Sequence, residues 1–512
     1  MLTRRAALLG AAAAFAPMPR LAWADSNAPT PAEMIAQARA LAAQPYSSER
    51  PALQPPFDAL TYDSYRAVRP RPGRAADLAL ADDFRADLLP PGWLFADPVY
   101  VSLPGHDTRF DPDLFSYDPE HVTLPDQLPD MGDMGFSGVR FRTQLNRPDV
   151  WDDVLVLQGA SYFRALAKGT AYGLSSRALS LGTGGPAPEE FPVTRQITVF
   201  GTDGGLQFGC LIDSPRAAAA LIADLTPGPV TRMRCRLHLF PREEIADVGI
   251  APLTSMFQHN ASGPARIDDF RPAVHDSDVL VIDNGAGERL WRPLANPAAL
   301  QLSAFQDSGP RGFGLVQMPT DFASFLDQEG AYERRPTAWV RPHGDWGAGA
   351  VTLLEIPTED EFADNIVAFW RPEAPLDVGG HEFGYDLEWH PPGPGALPAR
   401  DDRLIPVRSA SGIEPNLKEG RLFVLDFSAA YGTELPTDGI EADFGPAPGV
   451  EISGIALYPL HGRPGTLRVS FILTPEDDHD SAELRLALRD AAGIPVAPIW
   501  LYRWTRAAGG GV

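Results

Sequence analysis

Two acidic stretches carry the residue types that cleave a glycosidic bond, a reaction that needs one protonated and one ionised carboxyl on opposite sides of it. Val274-His275-Asp276-Ser277-Asp278 wedges polar residues between apolar ones. Glu359-Asp360-Glu361-Phe362-Ala363-Asp364-Asn365 runs straight into the apolar segment Ile366 to Trp370. Asp364, at the head of that segment, is expected near a buried strand end with a raised pKa, as a general acid requires. The competing reading is a plain turn-forming Asp at a strand edge. Trp291, Tyr332, Trp339, Trp346 and Trp370 also fall in this part of the chain, among Arg292, Arg311, Arg334, Arg335 and Arg341. Aromatic faces stack on sugar rings while arginines and carboxylates bond the hydroxyls. Any one tryptophan is more often a core filler. The cluster, with arginines that seldom enter a core unpaired, points to a polar cleft.

Other chemistries lack their patterns. His275, Asp276 and Ser277 are adjacent and cannot form a serine relay, and there is no G-x-S-x-G elbow. Gly285-Ala286-Gly287 lacks the third glycine of a dinucleotide loop. No C-x-x-C, H-E-x-x-H or EF-hand spacing occurs, and Glu476-Asp477-Asp478-His479-Asp480 reads as a solvated hairpin tip. No metal and no cofactor are expected. Cys210 and Cys235 are the two cysteines; they pair in an oxidising compartment or stay as buried thiols, and the sequence leaves both open.

The elements that must position these residues are mostly strands. The chain of 512 residues holds 47 glycines and 52 prolines, close to a fifth of the total, which suits short strands and tight turns. A net charge of -24 disfavours nucleic acid and anionic membranes as partners. Arg4-Arg5, the apolar run Ala6 to Ala16 and Ala22-Trp23-Ala24 read as a twin-arginine export signal over 1–24, and no stretch is long enough for a membrane span. The mature protein is therefore expected in the periplasm. Thr30-Pro31-Ala32-Glu33 is a capping box that opens a helix through about Gln44. Ser214-Pro215 before Ala217 to Ala220 offers a second helix start, and Asp321 to Arg335 a short third helix. Val154 to Leu157, Gly209 to Ile212, Arg232 to Phe240 and Val351 to Ile356 read as strands. Five more runs recur after Leu422, ending with Ile499 to Trp504, in the manner of a small immunoglobulin-like sandwich. The expected organisation is mainly β: a large β-sandwich over 25–408, a linker over 409–420 and a small immunoglobulin-like β-sandwich over 421–507.

Several ungapped blocks resemble the periplasmic glucan biosynthesis family called MdoG. They include Gln158-Gly159-Ala160-Ser161-Tyr162-Phe163-Arg164-Ala165, Tyr172 to Ser175, Ala251 to Phe257 and Arg271 to Asp278. Trp291 to Leu294, Arg311 to Leu315, Glu355 to Thr358 and Asp364 to Val367 continue the match, so that it spans about Leu60 to Trp504. The twin-arginine signal is closer to the OpgD branch of that family. The resemblance implies a large β-sandwich with a cleft, a smaller immunoglobulin-like domain, and work on β-1,2-linked glucan. It further implies an anomer-inverting glycoside hydrolase or related transglycosylase, with Asp364 as general acid and Asp276 as general base. Tyr162, Arg164, Ser277, Asp278, Arg311, Tyr332, Trp339, Trp346 and Trp370 become the expected glucan-binding residues. Ser409 to Arg421 is shorter here than in the family, which puts the cover of the cleft in question. Three functions follow: an endo-β-1,2-glucanase, a cyclising transglycosylase, or a non-catalytic glucan-binding assembly protein. A homodimer is left open.

Overall fold

The period-two runs fold as strands, and their inward residues make one continuous core. A computed structural model describes residues 28–125, 130–132, 134–263, 268–416, 420–430, 439–476 and 479–506. The segment read as an export signal, the tip residues Asp477 and Asp478, and part of the expected linker lie outside the described residues. Two sheets, of eleven and thirteen strands, face each other across the main core, which confirms a mainly β sandwich. Strands 152–158, 206–213, 231–241 and 349–355 contain the four runs expected from sequence. The capping box opens the helix Pro31–Ala42: Thr30 accepts from Glu33 N, and the Glu33 carboxylate accepts from Thr30 N.

The alanine run Ala217 to Ala220 is not a helix. It opens the strand Ala217–Thr226, paired on both sides. Its inward alanines and leucines enter the main core, while Ala220 and Ile222 lie under Met34 and Ala38 of the helix. A run covered on both faces shows no alternation, so periodicity cannot separate strand from helix there. Asp321 to Arg335 likewise forms two single 3₁₀ turns, Phe322–Ser324 and Tyr332–Arg334, joined through Leu326 and Ala331 in left-handed backbone.

The expected linker over 409–420 is also corrected. Leu404–Ile413 is a strand whose partner is Arg421–Ala429, with Ser409 opposite Leu425 and Ile413 opposite Arg421. The small, polar residues there lack an apolar period because the hairpin end lies at the surface. There Ser411 N donates to Ala261 O, and Ser262 Oγ donates to Ser409 O. The connection between the two regions is earlier, between the strands His381–His390 and Leu404–Ile413. A four-stranded sheet of 404–413, 421–429, 466–475 and 450–459 shares a second core with strands 481–489 and 499–505. The latter strands extend the thirteen-stranded sheet: Trp500 pairs with Trp291 in parallel register. The two regions therefore share one sheet, and Val279, Val281, Trp291 and Trp339 belong to the second core.

Candidate active site

The two acidic stretches come from different sheets and meet at one end of the sandwich. Asp364 precedes the strand Ile366–Pro372 of the eleven-stranded sheet, and Asp276 to Asp278 lead into Val279–Asp283 of the thirteen-stranded sheet. Buried polar contacts fix both loops. Asn365 Oδ1 accepts from Phe257 N at 2.8 Å, and its amide nitrogen donates to Phe257 O and Ile356 O. Ser255 Oγ donates to Ser277 Oγ at 2.8 Å, and Asp276 N donates to Met256 O. The short segment Ser255 to Phe257 thereby holds the loops that carry Asp364 and Asp276 at once.

Both carboxyls are poorly compensated. Burial raises the Asp364 pKa; the charges of Arg164 and Arg177 and the Thr254 hydroxyl oppose the rise. The nearest arginine atom to Asp364 is Arg164 Nη2, 3.8 Å from Oδ2. Asp276 is pushed up to about 6, first by burial and further by the charge of Asp364, against the pull of Arg335 and Arg164. Arg335 Nε lies 3.4 Å from Asp276 Oδ1, and that buried oxygen makes no hydrogen bond. Because the charge of Asp364 raises Asp276, ionising one carboxyl opposes ionising the other.

A third acid, Glu361, lies near enough to raise Asp276 further. Arg271 donates from Nη1 and Nη2 to both its oxygens, at 3.0 and 2.8 Å, and the Tyr332 hydroxyl donates to Oε1. Arg271 also holds Asp269 and Asp327, so one guanidinium ties three loops over the site. Its hydrogen bonds keep Glu361 below the usual carboxylate range, in contrast to Asp276 and Asp364.

The structure sorts the other sequence-expected residues. Tyr162 and Arg164 lie on the strand Tyr162–Ala165 beside Asp364, with Arg177 4.6 Å over the Tyr162 ring and Arg164 Nε donating to Ser175 Oγ. Ser277 is fully buried and serves its bond to Ser255. Asp278 accepts from Asn260 at 2.6 Å, faces His275 Nε2 at 3.7 Å, and is pushed up to about 7 by burial. Tyr332 contributes its hydroxyl rather than a ring face, being 3% exposed. Trp339 and Trp370 have no exposure and Trp346 packs on Trp370, Phe383 and Tyr385, so none offers a face to a sugar. Trp339 instead covers Gly312 and Gly314, where any Cβ would collide with its ring. Arg311 is at the far end of its hairpin, next to Asp283 and Gly285. Thr254, Asn365 and Arg177 were not singled out from sequence. The only hint for Asn365 is an amide at the mouth of an apolar strand, where the backbone needs partners. Cys210 and Cys235 are free and buried, on strands with Ala217–Thr226 between them.

The family described as "Periplasmic glucan biosynthesis protein, MdoG" matches residues 30–504. A protein named "Glucans biosynthesis protein G" from Vibrio cholerae serotype O1 is 42% identical over 489 residues, covering 92% of this chain and 86% of its own length. Its namesake from Shewanella frigidimarina is 41% identical over 482 residues, covering 91% and 83%. Among the described residues, no helix is long and apolar enough to cross a membrane, and no group of three or more metal-ligating side chains occurs.

Proposed function

This chain belongs to the MdoG family of periplasmic glucan biosynthesis proteins, and from that premise we propose that it is an anomer-inverting endo-β-1,2-glucanase. In this reading Asp364, whose pKa burial raises, gives its proton to the leaving glycosidic oxygen. Asp276 takes a proton from the attacking water on the opposite face of the sugar. Tyr162 and Arg164 hold the sugar beside Asp364, and the loops tied by Arg271 exclude bulk water. The protein is exported by its twin-arginine signal and acts in the periplasm.

The observation that carries this reading is the electrostatic contrast among three neighbouring carboxyls. Glu361 is saturated by Arg271 and Tyr332, whereas Asp364 and Asp276, both partly buried, have fewer partners and are raised. A protein that only bound glucan would have no use for two acids left in that state. Transfer instead of hydrolysis is favoured by one feature, the three-loop tie at Arg271, since a covered site delivers a sugar hydroxyl in place of water. The Ser409–Arg421 hairpin end borders the same site through Ser262, near Asn260. Its shortness supports hydrolysis. Incubation of purified protein with linear β-1,2-glucan decides between them by mass spectrometry and NMR. Shorter linear glucans with inverted anomeric configuration are expected; cyclic products, one water lighter, would reverse the choice, and unchanged glucan would reject catalysis.

A further inference from the structure

A tight turn after the strand Arg85–Leu89 of the eleven-stranded sheet stands apart from the acid pair on which the reading above rests. Gly92 and Phe95 exchange backbone hydrogen bonds, N to O in both directions, and thrust Trp93 and Leu94 outward. Trp93 adopts φ 54°, a left-handed conformation that a bulky side chain avoids and that persists only when its surroundings impose it. Its ring is 38% exposed and stands at 5.3 Å from the ring of Tyr62, itself 52% exposed. Tyr65 and Phe95 back it at 5.9 Å each, and Arg66 lies over Tyr62. The result is an aromatic shelf open to solvent, strained into place, in which the Trp93 and Tyr62 rings meet edge to face at 61° and Arg66 covers one side of Tyr62.

Strand register connects this shelf to the cleft. Leu89, at the end of the strand leading to the turn, pairs with Gly138, and Gly138 pairs with Gln158. Gln158 donates to the Tyr65 hydroxyl, and the adjoining pair Leu157 and Phe163 brings Tyr162 alongside it. Tyr162 pairs with Arg177, and Ser175 with Thr254, whose hydroxyl faces Asp364. Phe163 and Ala165 point into the core, so Tyr162 and the exposed Arg164 point out on the same face. Three strand spacings, ~14 Å, separate Gln158 from the Thr254 strand. A track of amide, phenol and guanidinium groups therefore runs from the acid pair to the shelf, with a stacking platform at its end.

We propose that Trp93 and Tyr62 form a distal subsite that grips one arm of a linear β-1,2-glucan whose bond to be cleaved lies between Asp276 and Asp364. Flat aromatic faces suit the apolar faces of glucose units, and the acidic chain is unsuited to a polyanion. A subsite this far from the chemistry selects long chains over short ones.

The test uses the full mature chain carrying Asp364→Asn, so that glucan stays intact, with calorimetric titration of a long and a short linear β-1,2-glucan. Trp93→Gly removes the ring and relieves the left-handed backbone, so it keeps the fold; Tyr62→Ala is a second, exposed change. Each is expected to weaken binding of the long glucan about tenfold and leave the short one unchanged. Equal loss for both lengths, or loss for neither, overturns the subsite. So does unchanged glucan binding with concentration-dependent self-association abolished by Trp93→Gly, which would assign the shelf to contact between copies of the chain. A parent that cleaves glucan beside a failed subsite leaves the functional reading standing; a parent that binds neither length removes both.

Discussion

Asp276 and Glu388 belong to the same thirteen-stranded sheet region, one just before the strand Val279–Asp283 and one within His381–His390, yet their acidities move in opposite directions. Burial pushes both up. At Glu388 the bonds from His390 and Arg232 and the charge of Arg341 outweigh it and hold the carboxyl at about 2. Arg232 approaches Oε1 to 2.7 Å, with His390 at 3.2 Å and Arg341 at 3.5 Å from Oε2. At Asp276 one arginine at 3.4 Å is too little, Asp364 adds repulsion, and the carboxyl rises to about 6. Burial alone does not mark a working acid. What sets Asp276 apart from Glu388 is burial without enough partners, a condition that costs stability and that the proposed function would use to move a proton.

The sharpest way to break this contrast is to neutralise the under-partnered pair. Asp364→Asn is expected to lower kcat by ~10²–10⁴-fold or more while glucan binding survives, because the amide keeps the shape but cannot donate that proton. Asp276→Asn should be similarly inactive for want of a base. Since the Asp364 charge raises Asp276, Asp364→Asn should also bring the Asp276 titration below about 6 in a carboxyl NMR experiment. Parent-rate cleavage by either variant, or an unmoved Asp276, would end the assignment.

Glu388→Gln probes the other side. A carboxyl held at about 2 contributes stability that is complete above its unfolded pKa near 4.5 and lost as pH falls toward 2. The variant should therefore lose ~2 kcal/mol near pH 7 by denaturant unfolding, with the difference shrinking below pH 4. Glucan cleavage should not change, since no contact joins Glu388 to the acid pair. A drop in kcat without a drop in stability would erase the distinction.

Asp278 gives a smaller effect of opposite sign. Raised to about 7, it makes the fold lose stability as pH climbs from its unfolded pKa near 4 toward 7, with no further change above. Asp278→Asn keeps the acceptor for Asn260 and removes that loss. It should be more stable than the parent by ~1 kcal/mol at pH 8 and equal to it below pH 4.

How much of this was legible beforehand depends on what each residue answers to. Strands such as Thr231–Pro241 were readable because one face is wet, and Asp364 because an acid at the mouth of an apolar strand is chemically conspicuous. Ala217 to Ala220 was misread because the helix Pro31–Ala42 covers the face that would otherwise have shown polar residues. The tryptophans misled for a related reason. Trp370 is adjacent to Arg371, and alternation sends that arginine away from the core and the ring into it, while Trp339 is taken up by the second core. Arg271 and Asn365 act through long-range contacts to Glu361, Asp327 and Phe257, and no local pattern announces such partners.

Arg335 allows the finest adjustment of the comparison. Its charge opposes the rise of Asp276, and its 3.4 Å ion pair is partly exposed to solvent, so its effect is modest. In Arg335→Gln the carboxyl should rise above about 6. A base must be ionised to work, so the acidic limb of the kcat/KM profile should move to higher pH, by less than ~1 unit. The variant should accordingly lose more activity at pH 5.5 than at pH 8. Arg335 also donates to Gly330 O from two nitrogens, and a loop loosened by losing those bonds would lower activity at every pH alike. Only the position of the limb separates the two effects. A limb that stays in place, or moves to lower pH, would show that Arg335 supports the loop and not the charge of Asp276.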